Sequence, residues 1–410
     1  MGIIGHLDRR DEAFVEGWVT NTDALHAKVV VEIMLRGQVI GRCVANQFRQ
    51  DLKDASLGDG TCAFSFQTPA FIPKSEINKI GVRFEESDLM LPGAEATATD
   101  PPAPETVSQF GGLWIDRSDW LDQLAKKHRS QEISDQLCEQ IFHFVRDGYL
   151  IISGAVAAPL IEQVNEAIER AWVSPPPGLM VETFVPDGQM RICPPSLEYR
   201  MGEGGTKMLD LFAHSGAVRE AIAAPPVIQF LTAIFGDRPK AFQSLNFWNG
   251  SQQPMHKDSA YVKVDSNPMH LAATWLALED VEGGAGELEY YVGSHRAPDF
   301  LFGGISKWME SYVKEHDTFL QSLHRDARTF GHRRSSFLAK KGDVLIWHAD
   351  LAHGGSKITK PASTRKSLVA HFTPASDEPY YRRVTRFQQA ELNGCDFVSG
   401  YCGIGARSDS

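Results

Sequence analysis

The chain has 410 residues, 42% apolar, 23% charged and 10% aromatic, enough for more than one hydrophobic core and too balanced for disorder, collagen or coiled coil. With 41 Lys and Arg against 52 Asp and Glu, the formal charge is −11. That sign opposes nucleic-acid phosphates and anionic membranes alike, so small molecules or neutral glycans are the expected partners.

In chain order, the first predicted elements are short alternating runs, Ala13–Val19 and Lys28–Leu35, with Arg36-Gly37-Gln38 as a hairpin turn before Val39-Ile40. They predict a small all-β domain over residues 1–90. Residues 91–106 are rich in Pro, Ala and Thr without apolar periodicity and predict a solvated linker. Residues 107–410 then form the larger domain. There, Leu137, Ile141, Phe144 and Val145 recur at helical spacing, with Ser134 as the cap and Gly148 at the end. A strand at Tyr149–Ile152 and a second helix from about Pro159 to Trp172 follow, stopped by Pro175-Pro176-Pro177. Beyond it the predicted strands are Phe242–Trp248, Met269–Leu278, Leu288–Val292, Val344–Trp347 and Ser367–Thr373. Helices first and strands afterwards predict an α+β domain whose helical layer supports a sheet or barrel.

Six scattered cysteines, Cys43, Cys62, Cys138, Cys193, Cys395 and Cys402, contain no Cys-x-x-Cys pair. They are expected as free thiols of a reducing compartment. No apolar run is long enough for a membrane span, and the first residues lack a secretory profile, so the expected location is the cytoplasm.

Oxygen-activating mononuclear iron sites use two histidines and one carboxylate on one face of the metal. A His-x-Asp on a strand projects two of these ligands to the same side. The spacing alone discriminates little, because His6-Leu7-Asp8, His256-Lys257-Asp258, His324-Arg325-Asp326 and His348-Ala349-Asp350 all carry it. What distinguishes His256-Lys257-Asp258 is the order of motifs behind it: Thr274–Leu278, Gly286–Arg296, Lys341–Gly355 and Arg365-Lys366-Ser367. This ordered set, over roughly Ser134 to Pro374, resembles the phytanoyl-CoA dioxygenase family of iron(II)/2-oxoglutarate-dependent oxygenases. The passage Phe144–Ile152 is similar to that family's N-terminal helix-to-strand transition.

The resemblance implies a double-stranded β-helix, or jelly roll, with a helical support layer. It implies His256, Asp258 and His353 as the metal ligands and catalytic centre, and Arg365 as the clamp on the distal carboxylate of 2-oxoglutarate. A guanidinium fork suits that task, since it binds a carboxylate through two charge-assisted hydrogen bonds and keeps its charge. Ser367, on the same strand face, is expected to add a hydrogen bond, and Trp275 either borders the cosubstrate pocket or serves as core. The implied cofactors are Fe(II), 2-oxoglutarate and O2. The implied reaction hydroxylates an unactivated C–H of a small-molecule or glycan-related substrate with release of succinate and CO2.

His348 competes with His353 for the third ligand position, and His353 is preferred because the family ligand precedes the glycine. His295 reads as a structural hydrogen-bonding residue and His371 as a strand residue facing the pocket or the core. Val292, Gly355 and Lys257 stand where proline, serine and glutamine are commoner in the family. A halogenase would need a small residue at Asp258. A zinc hydrolase with the same ligands and a silent scaffold remain as other classes.

The N-terminal motifs Gly17-Trp18-Val19, Ala45–Leu52 and Ala63–Phe66 resemble small β-sandwich modules appended to bacterial glycan-processing enzymes, notably glycosyltransferases. That likeness implies docking rather than catalysis. Trp18 and Phe64 are either core or sugar-stacking residues, and Arg49 is expected to pair with Asp51.

Overall fold

The computed structural model describes residues 2–36, 38–69, 71–72, 74–85, 89–93, 108–184, 189–200, 205–361, 363–380 and 389–401. Gly37 of the first hairpin turn, most of the expected linker and Cys402 lie outside the described residues. By its internal contacts the chain divides into Met1–Glu105 with Arg117–Phe142, and Thr106–Asp116 with His143–Ser410.

In the first unit, strands β1 (Ile3–Arg10), β2 (Phe14–Asn21), β3 (Val29–Leu35), β4 (Gln38–Ala45), β5 (Ala63–Gln67) and β6 (Gly81–Phe84) make two antiparallel three-stranded sheets, ordered β1-β2-β5 and β4-β3-β6. Alternate residues of β2, Val15, Gly17 and Val19, are buried, as a half-buried strand requires. With Val31, Ile33, Leu35, Phe64 and Val82 the two valines form the sandwich core. Phe64 is thus a packing residue, and Trp18 lies against Leu52, Cys62 and Ala63. Arg49 pairs with Asp51 at 2.7 Å and also with Asp8.

Three helices accompany these strands: α1 (Gln50–Asp54), α2 (Lys74–Ile77) and α3 (Trp120–Arg129). Helix α3 packs on β4 and buries Trp120, Leu121, Leu124 and Ala125. The sequence-based division placed α3 in the larger domain. Its apolar face, covered by the sandwich, is why its contacts fall with the first unit.

Helix α4 (Asp135–Asp147) is capped by the Ser134 hydroxyl, which accepts a hydrogen bond from the Leu137 amide, and it ends at Gly148, whose φ of +82° is the left-handed stop. The second unit continues with β7 (Tyr149–Ile152), α5 (Ala158–Val173), β8 (Met180–Phe184), β9 (Met190–Cys193) and β10 (Lys207–Leu209). Then come α6 (Gly216–Ile222), α7 (Pro225–Phe235), β11 (Pro239–Phe247), β12 (Ala272–Ala277) and β13 (Leu288–Tyr291). The last elements are α8 (His316–Thr329), β14 (Arg334–Phe337), β15 (Val344–His348), β16 (His353–Gly355), β17 (Ser367–Pro374), β18 (Ala390–Leu392) and β19 (Cys395–Phe397).

The large sheet runs β7-β15-β12-β17-β11-β10-β8-β9, with the β18–β19 hairpin attached to β11 through β19. A small sheet, β14-β13-β16, faces it. One core joins the two: Phe247, Ala273, Trp275, Leu345, Trp347 and Val369 from the large sheet meet Leu288, Tyr290 and Phe337 from the small one. This is the double-stranded β-helix that the family resemblance implies. Strands β12, β15 and β17 are buried at every position, and helices approach the large sheet: α7 packs against β11, Asn165 of α5 donates to the Leu278 carbonyl beyond β12, and Phe144 of α4 stands 6.2 Å from His348 of β15. Among the described residues no single helix is long and apolar enough to cross a membrane.

The packing of α3 predicts the behaviour of a truncated chain. A fragment from residue 106 onward loses the strand that covers Trp120, Leu121 and Leu124, each worth about 1.5–3 kcal/mol when buried. It should melt below the full chain and bind a hydrophobic dye; equal melting without dye binding would show that α3 needs no sandwich.

Candidate metal centre

His256 and His353 lie directly opposite one another on two antiparallel segments and exchange both backbone hydrogen bonds, at 2.8 and 2.9 Å. Their rings are thereby held 4.4 Å apart between centroids. The approach of the two backbones explains the glycines after His353. A Cβ on Gly354 would stand 2.8 Å from the Gln253 carbonyl oxygen and 3.0 Å from the Met255 nitrogen. The departure at Gly355 has the same cause, since a Cβ there would meet Gln252 N and Ser251 Oγ at 2.9 Å.

Asp258 is not on a regular strand, as the His-x-Asp reading expected. Lys257 is extended, with φ −116° and ψ 135°, and Asp258 then opens a one-turn 3-10 helix, Asp258–Ala260, closed by the Tyr261 amide on the Asp258 carbonyl at 2.9 Å. The single extended residue still brings the two side chains together. Asp258 and His353 are buried, the His256 side chain is 12% exposed, and each of the three offers one ligand atom within 4.8 Å of the others. Asp258 Oδ1 lies 3.8 Å from His256 Nε2 and 3.6 Å from His353 Nε2.

Neighbouring groups orient each of the three. His256 Nδ1 is 2.8 Å from the Pro254 carbonyl and His353 Nδ1 is 2.9 Å from the Leu351 carbonyl. A carbonyl only accepts, so both Nδ1 atoms carry the hydrogen and both Nε2 lone pairs face the cluster. Asp258 Oδ2 accepts from the Trp347 indole at 2.7 Å and lies 3.4 Å from His371 Nε2, which leaves Oδ1 toward the histidines. Burial, reinforced by His353, pushes His256 down to about 4. Burial alone would raise the Asp258 carboxyl, but the rings of His353, His371 and His256 outweigh it and hold the group below the usual carboxylate range. At neutral pH the cluster therefore holds a carboxylate and an unprotonated His256, the forms that ligate a metal.

The competing residues have other partners. His348 Nε2 lies 3.1 Å from Asp116 Oδ1, and its Nδ1 accepts from the Asp350 amide at 3.1 Å. His295 donates through Nε2 to the Val145 carbonyl at 3.0 Å. His371 sits buried on β17 beside Asp258. His6 pairs with Asp8 at 3.3 Å, and His324 bonds the Tyr291 hydroxyl at 2.9 Å, both on the surface.

Two residues before β17, Arg365 is 2% exposed. Its guanidinium carbon lies 5.4 Å from the Trp275 ring centroid and 5.6 Å from that of Phe247. Nη2 reaches the Asn249 carbonyl at 3.5 Å, Nε has no partner, and among the described residues no carboxylate stands within ion-pair distance. Burial pushes Arg365 down to about 10, so it remains charged at neutral pH. Ser367 Oγ and Trp275 Nε1 are also buried without partners. A buried cation with unspent hydrogen-bonding groups around it fits a small anion. Two other lysines are engaged elsewhere: Lys263 lies over the rings of Trp308 and Tyr380, at 4.0 and 4.3 Å, and buried Lys257 interacts with Asp350 and Asp299.

Sequence reasoning did not find Trp347 as the partner of Asp258, although its position two residues after inward-facing Leu345 is the signal. Nor did it find Tyr261, whose half-exposed ring stands edge-on to His256 at 5.6 Å while its hydroxyl bonds His316 Nε2 at 2.6 Å.

Residues 144–367 match the family model described as phytanoyl-CoA dioxygenase. No curated protein matches the chain significantly in sequence. Among solved structures, the chain is similar to the epimerase SnoN in complex with Fe3+, alpha ketoglutarate and nogalamycin RO (17% identity, 60% of this chain and 86% of that one, TM-score 0.45). It is also similar to the alpha ketoglutarate dependent carbocyclase SnoK from nogalamycin biosynthesis (14% identity, 61% and 87%, TM-score 0.44). A third is EctD from S. alaskensis with bound Fe (17% identity, 60% and 78%, TM-score 0.44). With the family model matched over more than half its length, the chain belongs to the phytanoyl-CoA dioxygenase family, which is iron- and 2-oxoglutarate-dependent.

Proposed function

We propose that the protein is an Fe(II)- and 2-oxoglutarate-dependent dioxygenase that hydroxylates an unactivated C–H bond of a small-molecule or glycan-related substrate. The observation that carries this reading is the presence, in one barrel interior, of the His256–Asp258–His353 cluster and the buried, carboxylate-free Arg365. The two are linked through one core, since Arg365 lies over Trp275 while Trp347, packed in the same cluster, bonds Asp258.

In this reading His256 Nε2, Asp258 Oδ1 and His353 Nε2 hold the iron. Arg365 takes the distal carboxylate of 2-oxoglutarate, Ser367 Oγ donates a further hydrogen bond, and Trp275 walls the pocket. When bound, iron with 2-oxoglutarate and O2 supplies oxidative decarboxylation to succinate and CO2 and places one oxygen atom on the substrate. The protein's own part is orientation: Trp347 and two backbone carbonyls fix the ligand atoms. Asp258 occupies the place that halogenation would need cleared. A zinc hydrolase with the same ligands would have no use for the unspent groups around Arg365.

We read residues 1–90 as an accessory domain, 91–106 as a linker and 107–410 as the dioxygenase domain, with the sandwich docking to a glycan or to an enzyme that handles one. The free thiols Cys43, Cys62, Cys138, Cys193 and Cys395 suit a reducing cytoplasm.

Anaerobic addition of Fe(II) and then 2-oxoglutarate should produce the visible absorption of the chelate, and admission of O2 should release succinate; neither signal from a folded protein would refute the assignment. Asp258→Ala should abolish both signals. His348→Ala should leave iron binding largely intact, and loss of iron there would transfer the third-ligand role to His348. Arg365→Lys retains the charge but loses the fork. It should raise the dissociation constant for 2-oxoglutarate about tenfold or more, or at least ~1.4 kcal/mol, measured by titration of the same absorption band.

A further inference from the structure

The fourth His-x-Asp, His348-Ala349-Asp350, has no part in the metal cluster, yet Asp350 is 1% exposed and bonded on every side. Its Oδ1 accepts from the Ser259 hydroxyl at 2.5 Å, its Oδ2 from the Lys307 ammonium, and its amide donates to His348 Nδ1. Ser259 is the residue after Asp258, and Asp350 lies three residues before His353. The carboxylate thus ties the turn that carries one proposed ligand to the strand entry that carries another. Lys307 is itself buried and bonds Asp299 at 2.5 Å, whose other oxygen accepts from Ser108 at 2.8 Å.

The segment that supplies Asp299 and Lys307 lies between β13 and β14, and it grips both ligand-bearing stretches by further contacts. The Met309 amide donates to the Ala260 carbonyl at 3.0 Å, and the Ser294 hydroxyl accepts from the Ala352 amide at 2.9 Å. Met255, Ala260 and Ala352, neighbours in sequence of the three proposed ligands, pack in one apolar cluster with Phe302, Phe319 and Leu323 of this segment. The charges balance, with buried Lys257, Lys307 and Asp350 and partly buried Asp299. Burying such ionic groups costs stability unless the geometry is well satisfied, and its best-attested use is to specify position.

We propose that Ser259, Asp350 and Lys307 are positioning residues of the metal site, a buried lock that sets the distance between Asp258 and His353 and mounts both on the segment from Ser294 to Met309. The proposal rests on the reading that His256, Asp258 and His353 bind a metal. It predicts that the lock governs metal affinity and ligand geometry more than folding.

The test is titration of the full-length apo-protein with Co(II), followed by its visible bands, beside the melting temperature of the apo-protein. Ser259→Ala removes one bond of the lock and leaves the Lys307–Asp350 pair. It should weaken Co(II) binding about tenfold or more and alter the bands with little change in apo melting, in the range typical for groups that orient metal ligands. Ser259→Thr, which keeps the hydroxyl, should restore affinity and bands. Wild-type affinity in Ser259→Ala would overturn the proposal. So would an affinity loss that merely tracks a lower apo melting temperature and that Ser259→Thr does not repair. If the wild-type protein itself binds neither Co(II) nor Fe(II), the metal-site reading falls first and the lock with it.

Discussion

The pair of backbone hydrogen bonds between His256 and His353 is the contact on which the site depends. An antiparallel bridge puts two side chains directly opposite one another on the same side, so the imidazoles meet without either chain bending toward the other. The cost is crowding, which Gly354 and Gly355 relieve by having no Cβ. Each ring is then oriented by its own backbone, through a carbonyl two residues earlier. Three features that look separate in the sequence, the paired histidines, the glycines and the unremarkable Pro254 and Leu351, are one arrangement in space.

Around that contact the interior is charged in a way that an apolar barrel tolerates only with specific partners. Asp258 has the Trp347 indole and three histidine rings around it, and Asp350 has Lys307 and Ser259. Arg365 differs, because it lies against aromatic faces with one long contact to a carbonyl, and the nearest carboxylates acting on it, Glu287 and Glu279, stay beyond ion-pair distance. The contrast separates groups whose role is completed within the protein from one whose charge is offered to something else.

Much of this was legible in the sequence where a physical period was present. Strands β12, β15 and β17 are unbroken apolar runs because they are buried on both faces, and α4 shows its cap, its 3.6-residue period and its glycine stop. The candidate site residues came from the family resemblance that the order of motifs carries, since spacing alone could not rank four His-x-Asp pairs. What escaped has no period to read. The turn at Asp258 is decided by a single hydrogen bond, β16 is three residues long and mostly glycine, and the residence of α3 depends on which neighbour covers its apolar face. Trp347 and Asp350 were hidden for another reason: their partners, Asp258 and Lys307, lie 89 and 43 residues away.

The four His-x-Asp pairs show why local sequence is a poor guide to chemistry even when it is a good guide to fold. At His6 and His324 the residues are solvated and pair with whatever is near. At His348 both ring nitrogens are hydrogen-bonded, so no lone pair remains, and Asp350 is consumed by a lysine. Only at His256 does the second ring nitrogen stay unbonded while the first is held by a carbonyl, with a carboxylate oxygen and another such histidine facing it. The distinguishing property is therefore an unspent lone pair in a buried place. That property belongs to the tertiary environment, where the barrel's two sheets and the segment between β13 and β14 converge, and the dipeptide spacing contributes only the reach.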